Sequence, residues 1–277
     1  MERFLLAEEL GYDHAWLVDH FVDTDGDLSK PCLEAWTLLA ALTARTSRIR
    51  LGVLVSSNTF RHPALLLKEA VTVDHVGGGR LILGVGTGWH EPEHGMYGIP
   101  LPAPAERVER LEEALVVIDA LMRQERTTFH GRYYRLEDAP FVPKPVQRPR
   151  IPLLVAAHRP RMLRLAARYA DQWDTFPPIP KSATAGTSDD LAERVRRFEA
   201  ACREVGRDPT AIRRSTWTGG DVLRSLETFV AWVEAHRALG FTDFTTGLPG
   251  PEHLPTVRQI AAEALPALRG VAQARSA

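Results

Sequence analysis

Cysteine is scarce. The 277 residues hold two, Cys32 and Cys202, which are too few for a disulfide framework. No stretch is long and apolar enough to span a bilayer. The N-terminus lacks the basic, apolar and small-residue order of a secretory signal. A dominant charge is missing too: the formal net charge is -1, so no electrostatic argument points to nucleic acid or to an anionic membrane. Lysine is confined to Lys30, Lys68, Lys144 and Lys181, and arginine carries the positive charge. No linker-like run divides the chain, and no internal repeat is evident. These absences describe a reduced, cytoplasmic protein with no nucleic-acid or membrane partner.

What remains is ordinary for a chain with a real core, at 44% hydrophobic and 25% charged residues. Apolar periodicity alternates along its length. Helical spacing covers Glu2 to Leu10, Leu33 to Thr43, the stretch opened by Pro63, and Val108, Leu111, Leu115, Ile118 and Met122. It returns at Pro160 to Tyr169, at Leu191 to Val205, around Leu226 to Leu239, and from Leu254 onward. Strand patterns fall at His14–Val18, Ile49–Ser56, Arg80–Val85, Ile151–Ala156, Asp171–Phe176, Ile212–Thr218 and Phe241–Thr246. Such alternation predicts a parallel sheet with right-handed crossovers. The chain opens on a helix that leads straight into a strand, halfway through a βα unit. The expected fold is therefore α/β, a TIM (β/α)8-like barrel that lacks its first strand, in one domain over residues 1–277. Excursions are expected around 92–106, 125–150 (with a hairpin or irregular stretch at Phe129 to Phe141) and 177–188.

Thr72 to Glu93, TVDHVGGGRLILGVGTGWHEPE, carries the most information. Gly77, Gly78 and Gly79 stop a helix, Arg80 to Val85 reads as a strand buried on both faces, and Gly84, Gly86 and Gly88 bring bare backbone to its carboxyl end. Ligands bind at that end of parallel α/β folds. The spacing is G-x-G-x-G rather than the G-x-G-x-x-G of dinucleotide folds. Asp19 and His20 follow another strand. His20 is a candidate for proton transfer, with Asp19 to hold its tautomer. His90 to His94 spells H-E-x-x-H, but Pro92 sits inside the turn that a zinc peptidase needs helical, and no third ligand is identifiable, so no metal is expected. Ala156 to Arg161 joins a strand to a helix start, where free N–H groups and Arg159 or Arg161 suit an anion. Trp36, Phe60, Trp89, Tyr97 and Trp173 are candidates to wall a flat ring, with Phe60 and Trp89 favoured.

The stretches AWLVDHF (15–21), SRIRLGVLVSSNTFRHPALL (47–66), VDHVGGGRLILGVGTGWHEPEHGMYGIP (73–100) and LAARYADQW (165–173) resemble the luciferase-like monooxygenase family. They are most similar to its branch of oxidoreductases that use the deazaflavin F420. The resemblance implies a TIM barrel with a flavin or deazaflavin at the carboxyl ends of the strands. It implies that Asp19–His20–Phe21 is the turn whose His faces the redox ring. It matches Ser56, Ser57 and Asn58 to a turn that backs the ring, with a non-prolyl cis peptide expected between Ser56 and Asn58. It places Gly86, Thr87 and Gly88, followed by Trp89, along the cofactor, and Ala156, Ala157, His158 and Arg159 at the cofactor phosphate. Two positions depart from the family. The run of glycines usual at the phosphate is absent, and Trp89 stands where sugar-phosphate dehydrogenases of the family place a catalytic Glu. Members also carry a first strand upstream of the helix at Glu2, so a native start upstream of Met1 is expected.

The activity these features imply is hydride transfer between reduced F420 and a small organic substrate. FMN-dependent monooxygenation is the alternative, and a cofactor-free or degenerate barrel the third possibility. A homo-oligomer, a dimer, is expected from the two sheet edges that seven strands leave.

Overall fold

The computed structural model describes residues 1–177 and 190–274. Helix α1 (Glu2–Glu9) leads into β1 (His14–Leu17), followed by α2 (Ala35–Arg45), β2 (Arg50–Val53), the two-residue β3 (Ser56–Ser57), α3 (Pro63–Val76) and β4 (Leu81–Gly86). A short α4 (Glu91–Tyr97) and a long α5 (Pro104–Arg123) precede β5 (Arg126–His130) and β6 (Arg135–Pro140). The chain continues through β7 (Leu153–Ala156), α6 (Pro160–Tyr169), β8 (Gln172–Asp174), α7 (Leu191–Glu204) and β9 (Arg213–Thr218). It ends with α8 (Leu226–Arg237), β10 (Asp243–Thr246) and α9 (Leu254–Ala274).

Local chemistry explains most boundaries. Glu34 caps α2 by accepting from the amides of Trp36 and Thr37 at 3.0 and 2.6 Å. His62 caps α3, whose first turn holds Pro63 where a missing N–H costs nothing. Along α5, Leu111, Leu115, Ile118 and Met122 are all buried, as their helical spacing requires. Every residue of β4 is buried, which is the signature of a central parallel strand. Gly84 is required there by close approach, since a Cβ would lie 2.2 Å from the carbonyl oxygen of Val53 on the next strand.

The strands β1, β2, β4, β7, β8, β9 and β10 pair side by side in that order, and every pair is parallel. This is a nearly closed TIM-like barrel of seven strands with one strand missing. No pairing joins the edges β1 and β10 among the described residues. Side chains meet across the gap instead, with His14 Nε2 3.8 Å from Asp243 Oδ1. The helices close over the same gap. Arg269 of α9 donates to the carbonyl of Gly11 at 2.5 Å and to Asp13 at 2.9 Å, and Arg258 reaches Glu9 at 3.1 Å. Leu10 and Tyr12 pack on a second apolar cluster built from Phe229, Val233, Val257 and Ile260.

Three expectations change. The strand expected over Ile49–Ser56 ends at Val53, and β3 pairs separately with β4 through Ser56 and Ser57. The non-prolyl cis bond lies between Leu54 and Val55, while the bonds from Ser56 to Asn58 are trans. Within the excursion around 92–106, Glu91–Tyr97 is helical, because Pro92 falls in the first turn of α4, where proline is tolerated. The hairpin in the 125–150 excursion is present as β5 and β6. The expected 177–188 loop lies outside the described residues beyond Pro177.

Candidate active site at the carboxyl ends of the strands

Three turns from neighbouring strands converge. After β1 come Asp19, His20 and Phe21. After β2 come Ser56, Ser57 and Asn58, and after β4 come Gly86, Thr87, Gly88 and Trp89. Hydrogen bonds tie them into one surface. The amide of Ser57 donates to Asp19 at 2.8 Å, and that of Asn58 to the carbonyl of Gly86 at 3.0 Å. Ser57 and Thr59 share a hydroxyl contact of 2.6 Å. Gly88 takes φ +76°, and a Cβ there would sit 2.5 Å from the Ser57 hydroxyl, so the two turns touch only because this position is glycine. Arg107 of α5 donates to the Gly88 carbonyl and holds the turn from outside. Asn58 in turn donates to the hydroxyl of Tyr134 at 3.2 Å, which ties the β5–β6 hairpin to the same turn.

His20 does not pair with Asp19. Its Nδ1 lies 2.7 Å from Oε1 of Glu93, whose other oxygen accepts the amide of Phe21 at 3.0 Å. Glu93 is 1% exposed, so this carboxylate is a buried fixture of the site. Asp19 is occupied elsewhere. It takes two donors from Arg61, at 2.6 and 3.2 Å, as well as the Ser57 amide. The expected pairing is thus corrected: Asp19 organises the Ser56–Asn58 turn, and Glu93 contacts His20. The reason is reach, since Glu93, on α4 beyond β4, comes within 2.7 Å of the His20 imidazole, whereas Asp19 is held by Arg61 just before α3. The sequence offered Glu93 only as the variable position of H-E-x-x-H.

That motif does not form a metal pair. His94 is 2% exposed and spends both nitrogens internally, Nδ1 on the His90 carbonyl and Nε2 on Thr59, each at 2.8 Å. His90 turns the other way, toward His20 and Glu93. Trp89 meets His20 edge-on at 5.7 Å between ring centres and His90 at 5.0 Å. Phe21, Phe60 and Tyr97 extend this aromatic wall, with Phe21 4.6 Å from Phe60 and 5.1 Å from Tyr97. Trp36 and Trp173 leave it. Trp36 is buried and donates to Ser56, and Trp173 stacks at 4.0 Å on Phe198 in the core.

The turn Ala156–Ala157–His158–Arg159 stands at the end of β7, next to β4, and its polar side-chain contacts run the other way, toward β8. His158 Nδ1 lies 2.9 Å from the Thr175 hydroxyl and 3.3 Å from the guanidinium of Arg194. Ala157 is buried, and α6 begins at Pro160 with no side-chain cap on its first turn. An anion at this helix start would meet open N–H groups with Arg159 beside them.

Burial, reinforced by the charges of Arg194 and Arg159, pushes His158 down to about 3. The sign follows directly. A depressed folded value means that His158 contributes stability above its ordinary value near 6.5 and loses it as pH falls toward 3. Relative to His158→Gln, the protein is expected to lose up to about 1.4 kcal/mol per pH unit below about 6.5. Urea denaturation of both proteins from pH 7 to 4.5 checks this, and parallel curves would refute it. The comparison cancels Asp174, which burial pushes up to about 7 and whose contribution fades as pH rises.

Against known proteins, the model of the luciferase-like monooxygenase family matches residues 1–247. An F420-dependent glucose-6-phosphate dehydrogenase of Microbacterium testaceum is 38% identical over 62% of this chain, a stretch that spans half of its own length. A protein of the same name from Intrasporangium calvum is 29% identical over 98% of this chain and 95% of its own. In fold, the chain matches a solved F420-dependent secondary alcohol dehydrogenase, in complex with an F420-acetone adduct, at a TM-score of 0.82. That match covers 96% of this chain and 93% of the other at 20% identity.

Proposed function

The chain belongs to the luciferase-like monooxygenase family, and on that premise we propose that it is an F420-dependent oxidoreductase that moves a hydride between the deazaflavin and a small organic substrate. The observation that carries the reading is the 2.7 Å contact of His20 and Glu93 beside a cradle of bare backbone at Gly86 and Gly88. The residues present fit a flat ring. Asp19 and Arg61 hold Ser57 in place, Gly88 lets its turn close on Ser57 and Thr59, and Trp89 stands at one side. The uncapped start of α6, with Arg159, would hold a phosphate of the cofactor. Relatives named as F420-dependent, one of them matched over nearly its full length, support the choice of cofactor.

When bound, the deazaflavin supplies or accepts the hydride. The protein handles the proton. With Nδ1–H given to Glu93, His20 presents Nε2 as its second nitrogen. In the oxidation of an alcohol, the hydroxyl proton passes to that Nε2 as the hydride leaves the carbon. The Glu93 carboxylate offsets the positive charge that forms on the ring. In reduction of a carbonyl the same proton returns to the oxygen. Trp89 brings no acid or base to the position after Gly88, so proton transfer rests on His20 alone among the residues of these turns.

Calorimetric titration with F420 and with FMN tests the proposal. F420 is expected to bind at least about tenfold tighter, a difference of about 1.4 kcal/mol. Equal or tighter FMN binding would turn the reading to a flavin monooxygenase, and binding of neither would turn it to a cofactor-free barrel.

A further inference from the structure

We propose that His20, His90 and Glu93 form a binding site for a divalent transition-metal ion of the zinc or cobalt class, at the mouth of the barrel. One ring nitrogen of His20, one of His90 and a carboxylate oxygen of Glu93 all lie within 4.8 Å of one another. Two of the separations are 2.7 and 3.6 Å, both measured to Oε1 of Glu93. Around a first-row ion with bonds near 2.0–2.2 Å, ligand atoms stand about 3–3.5 Å apart, a value these distances bracket. Two imidazole nitrogens and one carboxylate oxygen are a donor set that suits zinc, cobalt or iron, with remaining positions left to water.

The surroundings favour an ion over a simple hydrogen-bond pair. Nδ1 of His90 is buried with no hydrogen-bond partner, a costly state that a metal bond would relieve. Glu93 is already aimed, because its second oxygen holds the Phe21 amide and leaves Oε1 to the cluster. The ligands come from two turns, so the site exists only in the folded protein. It also differs from the H-E-x-x-H reading, in which His94 would be the second ligand: His94 is committed to Thr59 and the His90 carbonyl. The expectation of no metal is revised accordingly.

The binding rests on geometry alone. Its consequence rests on the role of His20 proposed above. A metal on Nδ1 takes the place of the Glu93 contact and leaves Nε2 carrying a proton. The ring then has no nitrogen free to accept one, so the bound ion would inhibit turnover.

Isothermal titration of the whole chain, free of cofactor, with zinc chloride and separately with cobalt chloride tests the site. One ion per chain is expected. His90→Ala and Glu93→Gln should each weaken binding about tenfold or more, while His130→Ala, a histidine of the distant hairpin, leaves it unchanged. Circular dichroism confirms that the variants are folded. Cobalt should give a visible spectrum that is lost in His90→Ala. Stoichiometry well below one, absence of binding, or wild-type affinity in folded His90→Ala would each overturn the site, whatever F420 does. Zinc that binds as expected but leaves turnover untouched would overturn the inhibitory role and, with it, the assignment of His20.

Discussion

His20→Ala is expected to lower the turnover number about a hundredfold or more, the usual loss for a group that transfers a proton in the transition state. Affinity for F420 should stay within about threefold, because the proposed cofactor cradle is made by Ser57, Gly86 and Gly88 rather than by this side chain. Steady-state kinetics with any substrate that turns over, together with calorimetry, separates the two quantities. Glu93→Gln gives the intermediate case. It keeps shape but removes the charge and leaves one acceptor oxygen where the Phe21 amide and His20 Nδ1 each use one, so a smaller loss in turnover than for His20→Ala is expected. Unchanged turnover in His20→Ala would make His20 a wall residue and leave the barrel without an identified proton donor.

The second large effect concerns stability. Arg61 is half-buried and sits among three carboxylates: Asp19 at 2.6 Å, Glu34 at 3.2 Å and Glu69 at 3.4 Å. Asp19 is 5% exposed, and burial already raises Glu69 above the ordinary carboxylate range. Arg61→Ala would leave this acidic cluster uncompensated, at a cost of about 3–5 kcal/mol. Urea denaturation measures the loss. Arg61→Lys should recover part of it, because a point charge replaces the fork that grips both oxygens of Asp19. A loss below about 1 kcal/mol would mean that water or rearranged partners stand in for the guanidinium. The same variant should loosen the Ser56–Asn58 turn, since Asp19 holds the Ser57 amide.

Much of the site was visible in the order of residues because its backbone signals are local. Glycine at 84, 86 and 88 marks a place where no Cβ fits, and the strand before it is apolar throughout. His20 was legible as a histidine just past a strand. The partner of His20 was not. Asp19 is its neighbour in the chain, yet adjacent residues in an extended turn point apart, and the carboxylate that reaches the ring lies 73 positions away. No local pattern carries that distance. It is set by the parallel pairing of β1, β2 and β4, which brings the ends of all three strands to one side. The aromatic wall divides the same way. Trp36 and Trp173 look like Trp89 in sequence, but Trp36 is buried against Ser56 and Trp173 stacks on Phe198 in the core.

The residues by themselves determined the alternation of helices and strands, seven parallel strands, the helix start at Pro63 and the turns that hold the site. These follow from periodicity, proline and glycine, which act over a few residues. Only the tertiary structure decided that Glu93 serves His20, that Asp19 serves Arg61, and that His94 leaves the site. The two edge strands also meet there through His14 and Asp243 rather than through backbone bonds. Each of these is a choice among partners far apart in the chain, made by which strand ends the barrel brings within hydrogen-bond reach.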